Sequence, residues 1–420
     1  MHMHDGNAVE WFVDRHAAEE RGGALAFADQ WRRLSYDELR IATERFATGL
    51  RSLGIGRERR IALLMLDTVD FPIAFWGALR AGVVPVPINT LLTPEQVAYV
   101  LADCRAEALV VSTPLLAPLR TVLPELARII VASPDGGTPA VQGGEIAFAA
   151  LLADAQADAT TAAASPDEVA FWLYSSGSTG QPKGVRHVHA SLRATADTYG
   201  AQVLGIRPDD LVFSAAKLFF AYGLGNAMTF PMSVGAAAVL LADRPTPDAV
   251  LATMRRFQPS IFGGVPTLYA GLLAHPGLGR GAGSSRLRRC ISAGEALPEQ
   301  VGRRWEATVG TEILDGLGST EMLHIFLSNR PGEVRYGSTG QAVPGYEVRV
   351  VDAAGADVPT GELIVRGPSA AEGYWNQREK TRGTFRGEWT HTGDTYTRDG
   401  DFYRYEGRAD DMMKVGGIWV

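Results

Sequence analysis

Residues 174–184 read Tyr174-Ser175-Ser176-Gly177-Ser178-Thr179-Gly180-Gln181-Pro182-Lys183-Gly184, and this segment decides the fold class. It follows an apolar run, Ala170–Tyr174, that predicts a strand. Its glycines let the backbone turn N–H groups toward an anion, its hydroxyls add neutral donors, and its lysine adds a mobile positive charge. A strand followed by such a segment predicts an α/β protein with a polyphosphate-binding loop.

The loop has two alternative interpretations, a Walker A loop and a surface loop without a ligand. A Walker A loop requires a glycine, four further residues and then Gly-Lys-Ser/Thr. Five residues after Gly177 the chain has Pro182, so the segment is not a Walker A loop. A Ser/Gly-rich surface loop without a ligand is equally compatible with the composition alone. The order and spacing of further motifs must therefore decide.

Three further motifs follow in the second half of the chain. They are Asp315-Gly316-Leu317-Gly318-Ser319-Thr320-Glu321, His391-Thr392-Gly393-Asp394, and Gly407-Arg408-Ala409-Asp410-Asp411 with Lys414-Val415-Gly416-Gly417. A carboxylate beside a Gly-rich turn can share a hard cation with phosphate oxygens. Taken one at a time, these motifs are also compatible with an acidic residue at a helix start, a turn and a charged loop.

In this order and spacing the four motifs resemble those of the adenylate-forming superfamily of acyl-CoA synthetases, luciferases and nonribosomal adenylation domains. The resemblance implies ATP and Mg²⁺ as ligands. It implies that the nucleotide is bound by Ser175, Ser176, Gly177, Ser178, Thr179, Gly180, Lys183, Gly294, Glu295, Ala296, Asp315, Gly316, Leu317, Gly318, Ser319, Thr320, Asp394 and Arg408. It implies catalytic roles for Thr179, Lys183, Thr320 and Glu321, with Glu321 as the metal ligand.

Other segments resemble the benzoate-CoA ligase branch of this superfamily. They are Ala74–Pro87, Ser214–Asn226, Ser292–Pro298 and Ser319–Asn329. Aromatic and small residues suit a flat ring, with few polar groups to orient it. The predicted aryl pocket consists of Phe220, Ala221, Tyr222, Gly223, Gly294, Leu317, His324 and Ile325. For the aromatic residues the alternative is ordinary core packing, and for His324 it is a hydrogen-bonded core histidine.

The resemblance implies an aryl-CoA ligase with a benzoate or a simple amino- or hydroxybenzoate, ATP and coenzyme A as substrates. The acid would first form its AMP ester with release of pyrophosphate, and the CoA thiol would then displace AMP. Two alternatives stay open: an enzyme that loads an aryl group onto a carrier-protein thiol, and a nucleotide-binding module without chemistry. A nucleotide-binding module without chemistry would not need metal ligands and ribose ligands together. Their presence together in this chain therefore argues against such a module.

Composition and charge exclude several other classes of protein. The chain has 420 residues, 46% of them hydrophobic and 21% charged, with a net charge of −7. We therefore expect no nucleic-acid partner, because a nucleic-acid-binding face needs clustered basic residues. The longest apolar runs are too short to cross a bilayer, and two cysteines make no disulfide framework. We expect a cytoplasmic protein with no membrane partner, and a homodimer.

The pattern of apolar runs predicts two doubly wound α/β subdomains followed by a small distorted β-barrel. We predict a first subdomain at 1–165, a second at 166–331, the barrel at 332–408, and a hinge at 409–420. Leu151–Ser165, rich in Ala, Thr and Asp, predicts a tether. The resemblance implies that Asp410 is the hinge to a C-terminal lid, and that the lid's lysine, which supports adenylation in the family, lies beyond Val420. We therefore expect this chain to bind its ligands but to turn over slowly.

His187 and His189 form a His-x-His pair, which sometimes marks a metal site. The sequence around them supplies no further Cys, His or acidic ligands. We therefore interpret both as part of the helix start that follows the phosphate loop.

Overall fold

The structure is a computed structural model that describes residues 6–123, 126, 128–175 and 181–408, together with the backbone of 414–415 and 418–419. Strands and helices alternate through its first three quarters, and short strands dominate after residue 332. Within the described ranges, no helix is both long enough and apolar enough to span a membrane.

The helices and strands have the following bounds. The strands are β1 (Leu25–Ala28), β2 (Arg33–Ser35), β3 (Arg60–Leu64), β4 (Val84–Pro87), β5 (Ala108–Ser112), β6 (Arg128–Ala132), β7 (Ile146–Ala147), β8 (Val169–Ser175), β9 (Lys183–Val188), β10 (Leu211–Ser214), β11 (Ala237–Val239), β12 (Ile261–Gly264), β13 (Arg289–Ser292), β14 (Ile313–Gly318), β15 (Ile325–Ser328), β16 (Gln341–Ala342), β17 (Glu347–Val351), β18 (Thr360–Arg366), β19 (Gly373–Tyr374), β20 (Phe385–Arg386), β21 (Trp389–Asp399), β22 (Phe402–Arg408), β23 (Lys414–Val415) and β24 (Ile418–Trp419). The α-helices are α1 (Arg15–Ala18), α2 (Tyr36–Ser52), α3 (Asp70–Arg80), α4 (Pro94–Asp103), α5 (Thr113–Leu116), α6 (Phe148–Asp154), α7 (His189–Thr195), α8 (Ala221–Leu224), α9 (Phe230–Val234), α10 (Pro247–Phe257), α11 (Pro266–Ala274), α12 (Glu299–Val309) and α13 (Arg378–Thr384). Wider π-helical turns cover Glu10–Asp14, Ala196–Leu204 and Gly225–Thr229, and 3₁₀ turns cover Ala117–Leu119 and Arg280–Gly283.

The first parallel sheet has the strand order β4-β3-β5-β6-β7. All its strand pairs are parallel, as expected for strands connected by helices. The helix that contains Phe71 is α3, which is buried along its whole length. Thr93 caps α4: its hydroxyl accepts from the N–H of Gln96, and the Gln96 side chain accepts from the N–H of Thr93 in return.

The second sheet has nine strands in the order β16-β15-β14-β13-β12-β10-β11-β1-β2. Its strands from β14 to β1 are parallel, and antiparallel strands complete both edges. β1 and β2 come from the N-terminal part of the chain, and the other seven strands of this sheet come from Leu211 onward. Because the carboxyl ends of parallel strands meet at one edge, Ser214, Ser292 and Asp315 lie along the same edge.

The third region is antiparallel, as the change of sequence character after Gly332 predicts. β17, β18, β21 and β20 form one sheet, with β22 paired to β21. This curled sheet beside the two parallel sheets confirms the predicted fold class. The exact domain boundaries stay a prediction. β19, from the range predicted for the barrel, pairs with β9, the strand that follows the phosphate loop in the predicted second subdomain.

The predicted tether over Leu151–Ser165 is wrong at its beginning, where Leu151 still belongs to α6. Phe148 and Leu151 lie one helical turn apart and are both buried, which holds this turn in the helix. Residues 155–165 have no helix or strand. Their backbone is fixed by arginines instead: Arg51 donates to Thr160 O at 2.9 Å and Arg57 to Ala163 O.

Arg80 links α3 to this tether and to the N-terminal segment. Its guanidinium is buried, pairs with Asp14 and donates to the Thr161 hydroxyl at 2.8 Å. We expect Arg80→Met to lower the free energy of unfolding by about 3 kcal/mol, because it removes one partner of a mostly buried ion pair. Urea unfolding measures this. Arg303→Met, in the exposed pair with Glu299, is the control and is expected to cost less than about 1 kcal/mol. Equal losses would contradict the role of burial.

Candidate active site

The two ends of the predicted phosphate loop lie side by side. Ser175 ends β8, Lys183 begins β9, and the two residues are partners in the antiparallel register. The hydroxyl of Ser175 is buried and has no hydrogen-bond partner among the described residues. The predicted ligands between them lie outside the described residues, as does the predicted hinge residue Asp410: these loop ligands are Ser176, Gly177, Ser178, Thr179 and Gly180.

Lys183 and Glu321 meet although they come from two distant motifs. Lys183 Nζ lies 3.1 Å from Glu321 Oε1, and the two side chains are only 18% and 16% exposed. Tyr374 touches both: Lys183 donates to its hydroxyl at 2.8 Å, and that hydroxyl donates to Glu321 Oε1 at 2.7 Å. The ammonium also lies 4.0 Å from the centre of the Tyr374 ring.

The protonation of Glu321 follows from these contacts. Burial by itself raises the pKa of a carboxyl group. The Lys183 ammonium and the Tyr374 hydroxyl outweigh that effect, and the pKa of Glu321 is lowered below its ordinary value. Glu321 is therefore an anion at neutral pH, which is the form that a divalent cation requires.

A tight turn places Thr320, Glu321 and His324 next to one another. Leu323 has a φ of 64°, in the left-handed region that non-glycine residues rarely adopt. Such a backbone conformation costs about 1–2 kcal/mol, so surrounding contacts must hold it. They include Ala371 N–H, which donates to Glu321 O at 2.8 Å, and His187 Nε2, which donates to Thr320 O at 2.8 Å.

His187 lies in β9, so the prediction that it belongs to the helix start is wrong, whereas His189 is the first residue of α7. The ring of His187 is fully buried and stacks on Phe171 at 5.3 Å between centroids. Burial lowers its pKa to about 4, so the ring is neutral and its Nε2–H serves Thr320. The sequence pattern contains no signal for this role, because the contact joins residues far apart in the chain.

The lowered pKa of His187 predicts how the free energy of unfolding depends on pH. The unfolded chain takes up a proton near pH 6.5, whereas the folded chain does so near pH 4, so this histidine's contribution to stability is lost as pH falls through that window. We expect His187→Gln to reduce the stability lost between pH 6.5 and 4 by up to about 3 kcal/mol. Urea unfolding across this pH range measures the difference. An unchanged pH dependence would contradict a neutral buried His187.

Asp394 and Arg408 form a second pair, at one end of the β21–β22 hairpin. Arg408 Nη1 lies 3.2 Å from Asp394 Oδ1, and the side chains are 18% and 10% exposed. The two residues are register partners, so the sheet itself brings them together. A carboxylate and a guanidinium at this spacing offer an acceptor and a donor to a diol.

Asp315 lies within β14 and is the register partner of Ser292, the last residue of β13. It is 5% exposed, and its Oδ1 has no hydrogen-bond partner in the described part of the chain. Burial raises its pKa to about 8. An unpartnered buried oxygen fits a ligand that brings its own donor, and the adenine amino group is such a donor. Gly294, Glu295 and Ala296 follow β13 at the same edge of the sheet.

A cavity of about 850 Å³ opens beside these motifs. Its wall includes Gly318, Ser319 and Thr320 of the second nucleotide motif. It also contains six residues of the predicted aryl pocket, namely Phe220, Ala221, Tyr222, Gly294, His324 and Ile325. Gly223 and Leu317 are not among the described residues that line it. Lys217 and Arg244 also lie in the wall, although the sequence analysis did not single them out.

His324 and Tyr222 define the inner wall of the cavity. His324 Nε2 donates to Tyr222 O at 3.3 Å, and burial lowers the pKa of His324 to about 3. Its Nδ1 has no partner among the described residues. The hydroxyl of Tyr222 lies 3.0 Å from Ile291 O and 3.1 Å from Gly264 O. The part of the wall formed by Tyr222 and His324 is therefore aromatic, uncharged and held by backbone carbonyls, as a flat apolar ring requires.

Comparison with known proteins identifies the family. The profile of the family described as "AMP-binding enzyme" matches residues 14–375. The chain belongs to the AMP-binding enzyme family. It is 52% identical to a benzoate–CoA ligase of Thauera aromatica over 99% of this chain and 79% of that ligase. The crystal structure of a benzoate CoA ligase from Burkholderia xenovorans LB400 superposes with a TM-score of 0.90 at 48% identity, covering 98% of this chain and 82% of the other.

A second solved structure extends the comparison to a substituted ring. The anthranilate CoA ligase AuaEII, solved in complex with anthranoyl-AMP, has a TM-score of 0.91 at 38% identity, covering 99% of this chain and 80% of the other. These similarities confirm the predicted resemblance to the benzoate-CoA ligase branch of adenylate-forming enzymes.

Proposed function

We propose that this AMP-binding enzyme is an aryl-CoA ligase that converts benzoate, or a simple amino- or hydroxybenzoate, into its CoA thioester. The observation that carries the proposal is the single cavity whose wall contains both Thr320 of the nucleotide motif and the aromatic pair Tyr222 and His324. A ring bound against the part of the wall formed by Tyr222 and His324 would direct its carboxylate toward Thr320. The relatives named benzoate and anthranilate CoA ligases support this choice of acid.

The first step is attack of the aryl carboxylate on the α-phosphate of ATP, with pyrophosphate leaving. Thr320 would hold the α-phosphate, and Lys183 with Ser175 and the loop between them would hold the β- and γ-phosphates. Glu321 would bind Mg²⁺, which neutralises phosphate charge when present. The chain's contribution is positioning and electrostatic stabilisation rather than covalent chemistry.

The remaining proposed nucleotide contacts follow the resemblance to adenylate-forming enzymes, and the burial of Asp394 and Asp315 supports them. Asp394 and Arg408 would bind the ribose hydroxyls, with Asp394 as acceptor and Arg408 as donor. Asp315 would receive the adenine amino group, flanked by Gly294, Glu295 and Ala296. In the second step the CoA thiol, entering past Phe220, would attack the acyl carbon of the aryl adenylate, form the thioester and displace AMP. A cytoplasmic location and a homodimer stay predictions.

A ligand panel tests the choice of acid. Thermal shift is measured with ATP and Mg²⁺ and with benzoate, 2-aminobenzoate, 2-hydroxybenzoate, 4-hydroxybenzoate or a medium-chain fatty acid. We expect one or more aryl acids to raise the melting temperature and the fatty acid to leave it unchanged. Stabilisation by the fatty acid alone would overturn the aryl pocket while leaving family membership intact. Transfer of the aryl group to a carrier protein rather than to CoA would favour the carrier-loading alternative.

A further inference from the structure

Tyr374 lies outside the four nucleotide motifs, yet its hydroxyl contacts Lys183 of the first motif and Glu321 of the second. It lies on the two-residue strand β19, whose partners are Arg186 and Val185 in β9. The strand is held by Trp375 N–H, which donates to Gly184 O at 2.8 Å. Gly373 has a φ of 122°, and a Cβ there would lie 2.5 Å from Thr381, so glycine is required at this turn.

The Tyr374 hydroxyl is the shared contact of Lys183 and Glu321. It accepts from Lys183 and donates to Glu321, and both groups also contact each other directly. Tyr374 itself is 4% exposed. The hydroxyl also lies 3.4 Å from Thr384 Oγ1, but Glu321 Oε1 is nearer, at 2.7 Å, and charged, so the single phenol proton goes to Glu321. The direction of the hydrogen bonds is thereby fixed from the ammonium to the phenol to the carboxylate.

The arrangement has a consequence for metal binding. Lys183 holds the carboxylate that Mg²⁺ would take, so in the absence of nucleotide an internal cation already neutralises Glu321. Phosphates of ATP would compete for Lys183, and its departure would leave Glu321 with the hydrogen bond from the Tyr374 hydroxyl. That remaining hydrogen bond would fix the orientation of the carboxylate for the metal.

We propose that Tyr374 is a positioning residue that holds Lys183 and Glu321 together before nucleotide binds and then orients Glu321 for the metal. The inference rests on the proposed function, because it requires that MgATP binds at this site. It makes metal binding conditional on ATP: Mg²⁺ alone binds poorly, and Mg²⁺ with ATP binds well.

Tyr374→Phe tests the orienting role, since it removes the hydroxyl and keeps the ring under Lys183. The measurement is the free Mg²⁺ concentration at which ATP gives half of its full thermal stabilisation. We expect this concentration to rise about tenfold, the effect of losing a hydrogen bond to a charged group. Tyr36→Phe is the control: its buried hydroxyl donates to Ala236 O at 2.6 Å, so it should lower the melting temperature without moving the Mg²⁺ midpoint.

Lys183→Met tests the resting pair by a separate measurement. We expect the unsubstituted protein to show no thermal shift with Mg²⁺ alone and the variant to gain one, because Glu321 is released. A Tyr374→Phe midpoint within twofold of the parent, or no gain with Lys183→Met, would overturn the inference. If MgATP fails to stabilise the unsubstituted protein at all, the proposed function falls and takes this inference with it.

Discussion

Glu321→Gln is expected to abolish Mg²⁺-dependent stabilisation by ATP and to lower aryl adenylate formation by roughly 100- to 1,000-fold, the usual cost of removing one group that stabilises transition-state charge. The amide keeps the shape of the side chain and the contact with Tyr374. It loses the negative charge that pairs with Lys183 at 3.1 Å. The effect is therefore on charge rather than on packing.

The measurement for Glu321→Gln combines two readouts. Thermal shift with ATP reports binding with and without Mg²⁺, and single-turnover detection of the aryl adenylate reports the first chemical step. Glu299→Gln is the matched control, because Glu299 is exposed and pairs only with Arg303 among the ion pairs of the described chain. A Glu321 variant that retains Mg²⁺-dependent ATP binding would remove Glu321 from the proposed metal site.

Gly225→Ala is expected to weaken aryl acid binding by about 10- to 100-fold, because overpacking of a filled site costs about 1–3 kcal/mol. Gly225 has helical angles, so its backbone tolerates alanine. The cost is steric: a Cβ at Gly225 would lie 2.4 Å from His324 Cδ2 and 2.9 Å from Phe230 Cζ. The His324 ring must then move into the cavity or away from Tyr222.

Isothermal calorimetry of benzoate and of ATP separates the effects of Gly225→Ala. ATP affinity should fall by much less than benzoate affinity, since the three atoms nearest to the added Cβ belong to the rings of His324 and Phe230. Gly383→Ala in α13 is the control, because a Cβ there meets nothing within 4 Å. Equal losses of benzoate and ATP binding would show that the variant disturbs the whole fold rather than the aryl pocket.

The order of elements in the two parallel sheets was predictable, because apolar runs such as Ala108–Ser112 and Arg289–Ser292 have strand length and coincide with β5 and β13. The place of β1 was not predictable. Leu25–Ala28 is a short apolar segment, and its partner β11 lies about 200 residues away. Only the complete sheet determines that β1 is the strand that pairs with β11.

The residues of the candidate site also fall into two groups, those that the sequence singles out and those that only the structure reveals. Lys183, Thr320 and Glu321 could be singled out from the sequence because each belongs to a motif that resembles a nucleotide motif of adenylate-forming enzymes, and their contacts with ligand stay a prediction. The structure adds that Lys183 and Glu321 meet. Tyr374 and His187 could not be singled out, because they act through single contacts made by tertiary structure: a phenol between Lys183 and Glu321, and an imidazole behind Thr320. A lone tyrosine or histidine has no spacing rule that could reveal such a role.

The most direct test of the central claim is the affinity of a non-hydrolysable benzoyl-AMP analogue, measured by calorimetry beside AMP and benzoate alone. If one cavity joins the aryl wall at Tyr222 and His324 to Thr320, the analogue spans both parts and should bind at least about 100-fold more tightly than either fragment, because the second contact becomes intramolecular. Binding no tighter than that of AMP would show that the aryl wall and the nucleotide motif do not form one site.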